Sequence, residues 1–231
     1  MAMEKKKTVG NLAHRRQILH QGTNFVVREA YKTLRTNIHF TLSDKTCKRI
    51  CITSGSAGEG KSITMLNLAL SVAESGQKVL LIDADLRRPA IGRLLVEKVA
   101  PGLSNVLTGQ VSSDEAIRSQ VFPNLDILFS GEVPPNPSEL LASDKFMALI
   151  GEMSQRYDYI LVDAPPINVV SDAAIIAKRV DGVLLLVRHT KSTKENVRQA
   201  VSNLQMVNAN ILGYVFNGVE FSPKKYYGYY G

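Results

Sequence analysis

Apolar and polar positions along the chain follow two periods after residue 48. Short apolar runs, typical of strands covered on both faces of a parallel sheet, alternate with segments in which apolar residues recur at helical spacing. The runs predict strands at residues 49–53, 78–83, 125–129, 159–163, 182–187 and 211–216. The helical segments span residues 62–74, 138–156, 172–180 and 193–207. This alternation predicts an α/β fold with a doubly wound, mostly parallel sheet.

Two short polar segments predict helix starts, and a further helix is predicted ahead of the first strand. Residues 112–115 and 192–195 both place a serine three residues before a glutamate, which is the spacing of a capping box. Residues 25–40 show helical periodicity but belong to no strand–helix pair. We therefore expect that helix to pack on a neighbouring molecule.

Charge is distributed unevenly along the 231 residues. The net charge is +7; the first 50 residues hold 11 Lys/Arg against 3 Asp/Glu, whereas the remainder holds 17 against 18. A basic arm is typical of contacts with acidic lipid, nucleic acid or a partner, and a solvated terminus is the alternative. No run reaches the roughly 18 apolar residues of a membrane span, and none follows the lysines at residues 5–7. We expect a chain without a signal peptide that stays in the cytoplasm.

The segment from Gly55 to Ser62, Gly-Ser-Ala-Gly-Glu-Gly-Lys-Ser, fills every fixed position of the phosphate-binding pattern G-x-x-x-x-G-K-[ST]. A predicted strand precedes it and a predicted helix follows, as the pattern requires. Its glycines let the loop turn backbone N–H groups towards phosphate, Lys61 offers a point charge to the β/γ-phosphates, and the Ser62 hydroxyl can bind Mg²⁺. The pattern predicts a nucleoside triphosphate site without indicating which reaction follows.

Carboxylates lie at the ends of two further predicted strands. Asp83 and Asp85 follow one apolar run, and Asp163 ends another. Because ligands of open parallel sheets bind beyond the carboxyl ends of the strands, we expect all three side chains to converge near the phosphate loop. Asp163 fits the acidic residue that holds the Mg²⁺ shell, whereas Asp83 and Asp85 suit metal binding through water and proton acceptance.

Together these motifs resemble the bacterial tyrosine kinases, a family built on the MinD/ParA-type P-loop ATPase fold. The matching segments cover nearly the whole chain. They are the phosphate loop at 58–62, a second acidic motif (Walker A′) at 81–89, residues 162–166, a Pro-rich motif at 134–141 and a tyrosine cluster at 226–230. The resemblance implies a P-loop NTPase that uses ATP and Mg²⁺ to phosphorylate tyrosine, including its own tail at Tyr226, Tyr227, Tyr229 and Tyr230.

The resemblance also implies residue roles. The catalytic residues would be Lys61, Asp83 and Asp85, and the metal ligands Ser62, Asp83 and Asp163. Because no histidine lies in the three motifs, an aspartate is the expected general base: Asp83 is preferred, and Asp85 is an alternative that the sequence does not separate from it. The expected nucleotide contacts are Gly58, Glu59, Gly60, Lys61, Ser62, Ile63 and Asn217, the last to adenine.

Partners and domain organisation are likewise implied. In the family, free cytoplasmic members are recruited to the inner face of the cell membrane and activated by a transmembrane adaptor, and they regulate capsule or exopolysaccharide export. Other tyrosine-containing proteins are expected substrates, and no nucleic acid is expected. The implied parts are a basic arm with an oligomerisation helix at 1–47, a P-loop kinase domain at 48–221 and a flexible tyrosine-rich tail at 222–231.

The family's oligomer motif, Glu-x-x-Arg-x-x-Arg, is altered here to Glu29-x-x-Lys32-x-x-Arg35. Spacings of three place these residues near one helical face, which the family uses to close a homo-oligomeric ring. Lysine lacks the planar fork with which arginine binds a carboxylate, so the replacement weakens the expected ring contact. An intrahelical Glu–Lys pair on a solvated face is the alternative.

The competing hypothesis is a partitioning or cell-positioning ATPase of the same fold. Many of those carry a lysine just after the first loop glycine, where this chain has Ser56, and they lack a tyrosine tail. A metal-cluster carrier ATPase is disfavoured because the cysteines lie at positions 47 and 51 rather than near the C-terminus. A nucleic-acid switch is disfavoured because the chain lacks a pattern of interleaved aromatic and basic residues.

Overall fold

The computed structural model describes residues 17–219, in which seven strands form one sheet. They are β1 Lys48–Ser54, β2 Val79–Asp83, β3 Arg118–Phe122, β4 Leu125–Leu128, β5 Tyr159–Asp163, β6 Gly182–Arg188 and β7 Ile211–Asn217. Their spatial order is β3-β4-β2-β5-β1-β6-β7, and every neighbouring pair is parallel except β3 and β4. The predicted doubly wound, mostly parallel α/β sheet is confirmed.

Helices cover both faces of this sheet. They are α1 Phe25–Thr41, α2 Lys61–Ala73, α3 Ile91–Leu95, α4 Leu103–Thr108, α5 Ser113–Ala116, α6 Pro137–Ala142, α7 Asp144–Met153, α8 Asp172–Ala177 and α9 Lys194–Met206. Side chains of α1 to α3 belong to one buried apolar cluster, and those of α4 to α9 belong to the other. Successive β2 residues alternate between the two clusters, which is why the strand is a continuous apolar run.

The single helix predicted at residues 138–156 is wrong. The segment forms two helices, α6 and α7, separated at Ser143, whose backbone is extended at φ −65° and ψ 155°. The Ser143 hydroxyl donates to the Leu140 carbonyl and so competes with the helical hydrogen bonds, which ends α6.

One of the two predicted capping boxes is confirmed. Ser112 caps α5: its hydroxyl accepts from the Glu115 N–H, and the Glu115 carboxylate accepts from the Ser112 N–H. At the second position the N-cap of α9 is Thr193 rather than Ser192. The Ser192 hydroxyl donates to the Glu59 carboxylate instead, so the helix begins one residue later.

The N-terminal helix α1 packs on its own chain. Its apolar face buries Ile38 and, with partly buried Tyr31 and Leu34, joins the cluster formed by α2. The expectation that this helix packs on a neighbouring molecule is therefore wrong for its apolar face. Within the described range no helix is long and apolar enough to cross a bilayer. The lysines at 5–7 and the predicted tail at 222–231 lie outside the described residues.

Candidate active site

The phosphate loop joins β1 to α2 at the carboxyl edge of the sheet. Gly58 and Gly60 have left-handed backbones, with φ of +72° and +103°, which residues with a Cβ rarely adopt. Gly60 is constrained further, because a Cβ there would overlap the Asn217 side-chain amide. Lys61 and Ser62 form the start of α2, so the N–H groups of its first turn face the loop. The loop therefore has the backbone form of a phosphate-binding cradle.

Two carboxylates lie side by side beneath the cleft that opens above this loop. Asp83 and Asp163 end neighbouring parallel strands and are register partners across β2 and β5, and both are fully buried at 0% exposure. One Asp83 oxygen accepts from the Ile91 N–H at 3.1 Å. Its other oxygen and both oxygens of Asp163 have no hydrogen-bond partner among the described residues. Because a buried polar atom without a partner is costly, these oxygens indicate a site for a bound cation.

Burial raises the pKa of both carboxyl groups, and neighbouring carboxylates add to the effect: Asp163 and Asp85 for Asp83, and Asp85 for Asp163. The pKa of Asp83 lies well above the ordinary range, first because the group is buried and next because Asp163 lies beside it. Burial raises the pKa of Asp163 to about 7, although the charge of Lys61 and the Ser62 hydroxyl act to lower it. A proton or a cation bound at Asp163 relieves its repulsion of Asp83.

The donor set of this site fits Mg²⁺. Asp83, Asp163 and Ser62 supply oxygen atoms, the ligands that Mg²⁺ prefers. No cluster of three or more His, Cys, Asp or Glu side chains with metal-binding geometry occurs in residues 17–219. Two carboxylates and a hydroxyl suit Mg²⁺, which is bound through one or two carboxylates and completes its shell with water and substrate phosphate.

The cleft has a volume of about 1050 Å³. The predicted site residues that line it are Gly58, Gly60, Lys61, Ser62, Ile63, Asp85 and Asn217. Asp85 is half-buried at its border, and one of its oxygens accepts from the Arg88 N–H at 3.0 Å. The structure thus brings the phosphate loop and the three acidic residues to one place, with Asp85 facing the cleft and the other two beneath it.

Glu59 and Asn217 are engaged within the protein. The Glu59 carboxylate is 1% exposed and accepts from the Ser192 hydroxyl at 2.6 Å, so this side chain anchors the loop from beneath. The Asn217 amide donates to the Glu59 carbonyl at 2.9 Å, and its oxygen accepts from the Gly218 N–H at 2.8 Å. Asn217 therefore supports the loop from the end of β7, at the border of the cleft.

Arg188, the last residue of β6, and Lys191, between β6 and α9, are site residues that sequence analysis missed. Arg188 donates to the Gly58 carbonyl at 3.0 Å, and Lys191 donates to the Ala57 carbonyl at 2.8 Å. By holding these carbonyls outside the loop, they favour N–H groups that point inward. The one sequence signal for them is a pair of basic residues where a buried strand reaches the carboxyl edge of the sheet.

Glu29, Lys32 and Arg35 share α1, as their spacing predicts, but they bind within the chain. The Lys32 Nζ lies 2.7 Å from the Glu29 carboxylate, and both side chains are partly exposed. Arg35 donates to the Ser71 carbonyl of α2. In the single chain, the first two residues therefore form a surface pair and the third ties the helix to the core.

Comparison with known proteins identifies the family. The profile of the AAA domain family matches residues 47–213. The chain is 39% identical over 229 residues to the tyrosine-protein kinase YwqD of Bacillus subtilis, covering 99% of this chain and 97% of that protein. The chain belongs to the bacterial tyrosine kinases. This kinase is also 39% identical over 206 residues to the tyrosine-protein kinase CpsD of Streptococcus agalactiae, covering 88% of this chain and 89% of the relative.

Solved structures agree that this chain belongs to the bacterial tyrosine kinases. The chimerical protein CapA2B2 matches with a TM-score of 0.82 and 32% identity, over 87% of this chain and 88% of that chain. The septum site-determining protein MinD of Pyrococcus horikoshii, solved with Mg-ADP, matches with a TM-score of 0.64 and 26% identity. The match covers 78% of this chain and 75% of that chain. The P-loop ATPase fold is therefore shared with the positioning ATPases, whereas the tyrosine kinases match over nearly the whole length. The protein is a tyrosine kinase.

Proposed function

We propose that this kinase transfers the γ-phosphoryl group of ATP to tyrosines of its own tail, from one subunit to another, and to tyrosines of other proteins. Its role would be to regulate the synthesis and export of capsule or exopolysaccharide. The observation that carries the catalytic part is the buried pair of Asp83 and Asp163, with three unpartnered oxygens, beside Lys61 and Ser62. ATP and Mg²⁺ are the proposed cofactors.

Each group of the site has a separate task in this proposal. The loop N–H groups and Lys61 bind the phosphates, and Arg188 and Lys191 keep the loop carbonyls turned away from them. Ser62, Asp83 and Asp163 would hold Mg²⁺, which, when bound with ATP, neutralises charge that develops on the transferred phosphoryl group. The proposed nucleotide contacts are the loop residues Gly58 to Ile63 and, at adenine, Asn217.

Asp83 is the proposed general base. A tyrosine hydroxyl has a pKa near 10, so its proton must be removed as the bond to phosphorus forms. Asp83 lies at the end of β2 beside Asp163, and burial with that neighbour raises the pKa of Asp83 in the metal-free protein. Asp85, at the border of the cleft, is the alternative.

Comparing Asp83→Asn with Asp85→Asn distinguishes the two candidates. The variant that lacks the base should lose about 10²–10⁴-fold in kcat and the acidic limb of its pH–kcat profile. The other variant should keep that limb. A retained acidic limb in Asp83→Asn, together with its loss in Asp85→Asn, would assign the role to Asp85.

The proposed assembly is a homo-oligomeric ring that contacts through Glu29, Lys32 and Arg35 of α1. The partly exposed pair of Glu29 and Lys32 supports this, because it remains accessible to a neighbouring subunit. A transmembrane adaptor would recruit the ring to the inner face of the membrane and activate it. The parts would be residues 1–47 for assembly, 48–221 for catalysis and 222–231 as the acceptor tail.

A mixing experiment tests transfer between subunits. An inactive Lys61→Met chain with an intact tail is combined with an active chain in which Tyr226, Tyr227, Tyr229 and Tyr230 are all replaced by Phe. Phosphotyrosine on the inactive chain is the expected result. If the unmutated protein is active alone and the mixture gives no signal on the inactive chain, transfer occurs within one chain.

A further inference from the structure

A cluster of three hydrogen-bonded polar side chains, of which Asp172 is buried, lies behind the acidic loop, on residues that no step of the proposed mechanism uses. Arg87 follows Asp85 by two residues, in the loop that connects β2 to α3. Asp85 and Arg88 line the cleft, whereas the Arg87 guanidinium binds Asp172 in the first turn of α8. Asp85 and Arg88 thus face the cleft, whereas Arg87 points away from it towards α8.

The cluster contains three residues from three segments. Arg87 donates through Nε to one Asp172 oxygen at 2.8 Å and through Nη2 to the other at 3.2 Å. The Ser138 hydroxyl, in the first turn of α6, accepts from Arg87 Nη2 at 2.9 Å and donates to Asp172. Each residue therefore binds both others, and the guanidinium fork fixes the direction of Arg87 as well as its charge.

The energetics of the cluster favour one arrangement. The Asp172 side chain is 0% exposed, whereas Arg87 is 39% exposed. A buried carboxylate is tolerated when it is paired and hydrogen-bonded, and removing its partner leaves an uncompensated charge. The loop consequently has a strong preference for the position that keeps Arg87 on Asp172.

The place of the cluster in the fold connects it to the site. The other side-chain hydrogen bonds of the acidic loop are local: Asp83 accepts from the Ile91 N–H, and Asp85 accepts from the Arg88 N–H. Leu86 packs into the buried apolar cluster, and Arg87 is the loop residue whose side chain hydrogen-bonds to another segment among the described residues. Ser138 belongs to the Pro-rich motif at 134–141, and α8 follows the strand that ends in Asp163. The cluster thus connects the loop that follows β2, which ends in Asp83, to α8, which follows β5 and its terminal Asp163.

We propose that Arg87, Ser138 and Asp172 are positioning residues for phosphoryl transfer, which hold the acidic loop so that Asp83 and Asp85 keep their place relative to Lys61 and Asp163. This inference rests on the proposed roles of those two aspartates. Among the described residues, no hydrogen bond joins the cluster to the phosphate loop. Loss of the cluster should therefore slow the chemical step and leave nucleotide affinity nearly unchanged.

The test compares Arg87→Ala, Arg87→Lys and Ser138→Ala with the parent. The control is Arg156→Ala, which removes an ion pair with Asp114 that is partly exposed and outside the cleft. The readouts are kcat and the KM for ATP, with a peptide of residues 222–231 as acceptor, the Mg²⁺ concentration for half-maximal activity, and the melting temperature. Arg87→Ala should lower kcat by about 10–100-fold and raise the Mg²⁺ requirement, with the KM for ATP within about twofold.

The milder variants keep the proposal testable if Arg87→Ala does not fold. Arg87→Lys keeps a positive charge that can pair with Asp172 but lacks the two-pronged guanidinium, so its kcat should lie between those of Arg87→Ala and the parent. Ser138→Ala should lose about threefold or more in kcat without a matching loss of folded protein. Unchanged kcat in folded Ser138→Ala and Arg87→Lys, or an equal loss in Arg156→Ala, would overturn the proposal. An inactive parent would instead contradict the proposed function.

Discussion

At the scale of single residues, the place of the acidic side chains follows from their positions at the ends of parallel strands. Because parallel strands end at one edge of the sheet, carboxylates at the ends of two such strands were predicted to converge, and Asp83 and Asp163 do lie in register. That their oxygens lack partners could not be predicted, because it depends on which backbone groups surround them. Arg188, Lys191 and Asp172 were missed for the same reason: their partners are far away in sequence.

Gly60→Ala should weaken nucleotide binding. The residue has φ +103°, and a Cβ would overlap the Asn217 amide, so either the loop or Asn217 must move. We expect the affinity for MgATP, measured by calorimetry, to fall by about tenfold or more. Gly151→Ala is the matched control, because it lies in α7 with open space around its Cβ position and should be stabilised by about 0.5–1 kcal/mol. Equal MgATP affinity in Gly60→Ala and the parent would contradict the cradle geometry.

Asp163→Asn should change how stability depends on pH in the metal-free protein. The folded-state pKa of Asp163 is raised to about 7, so the folded protein retains a proton that the unfolded chain releases near pH 4. The resulting stability is present at low pH and is lost as the pH rises from about 4 to 7. Removing the charge also relieves Asp83, whose pKa is raised in part by it.

The melting temperature of Asp163→Asn relative to the parent should therefore increase by several degrees between pH 5 and pH 8, measured by calorimetry in chelator. Mg²⁺ with nucleotide should stabilise the parent at pH 8 but stabilise the variant much less. A difference between variant and parent that stays constant from pH 5 to pH 8 would show that Asp163 has an ordinary pKa.

At the scale of elements, periodicity predicted the buried strands and most of the longer helices but not the short elements or the break at Ser143. β3, with the sequence Arg-Ser-Gln-Val-Phe, is a partly exposed antiparallel edge strand with an irregular register and a positive φ at Gln120, so it lacks the apolar run by which strands are predicted. Helices α3 to α5 are four to six residues long, too short for a periodic pattern. The break between α6 and α7 depends on one serine hydroxyl.

Glu29→Ala combined with Lys32→Ala should lower the mass of the oligomer without reducing ATP binding. The two side chains are partly exposed on α1 and pair with each other, so they can exchange partners with a neighbouring subunit. Arg35 is kept, because it also binds the Ser71 carbonyl and its loss would disturb packing. Light scattering measures the mass, with Thr33→Ala, an exposed position on the same helix, as the control. An unchanged mass in the double variant would limit α1 to packing within the chain.

At the scale of the whole molecule, the alternation of strands and helices was sufficient to predict the class of fold. The strand order was not predicted, because several right-handed windings are compatible with the same alternation. The packing of α1 on α2 was also missed, since an amphipathic helix outside the strand–helix pattern can pack on its own chain or on another. The phosphate loop was predictable in full, because its glycines and its lysine have fixed spacing.

The most direct test of tyrosine kinase chemistry at this site is phosphotyrosine formation by the purified protein with MgATP. The parent and Lys178→Met, which changes an exposed lysine outside the cleft, should both give a signal. Lys61→Met should fold, as judged by circular dichroism and melting temperature, and give none, because Lys61 is the loop charge that stabilises the transferred phosphoryl group. A parent that forms no phosphotyrosine, or a folded Lys61→Met protein that forms as much as the parent, would contradict it.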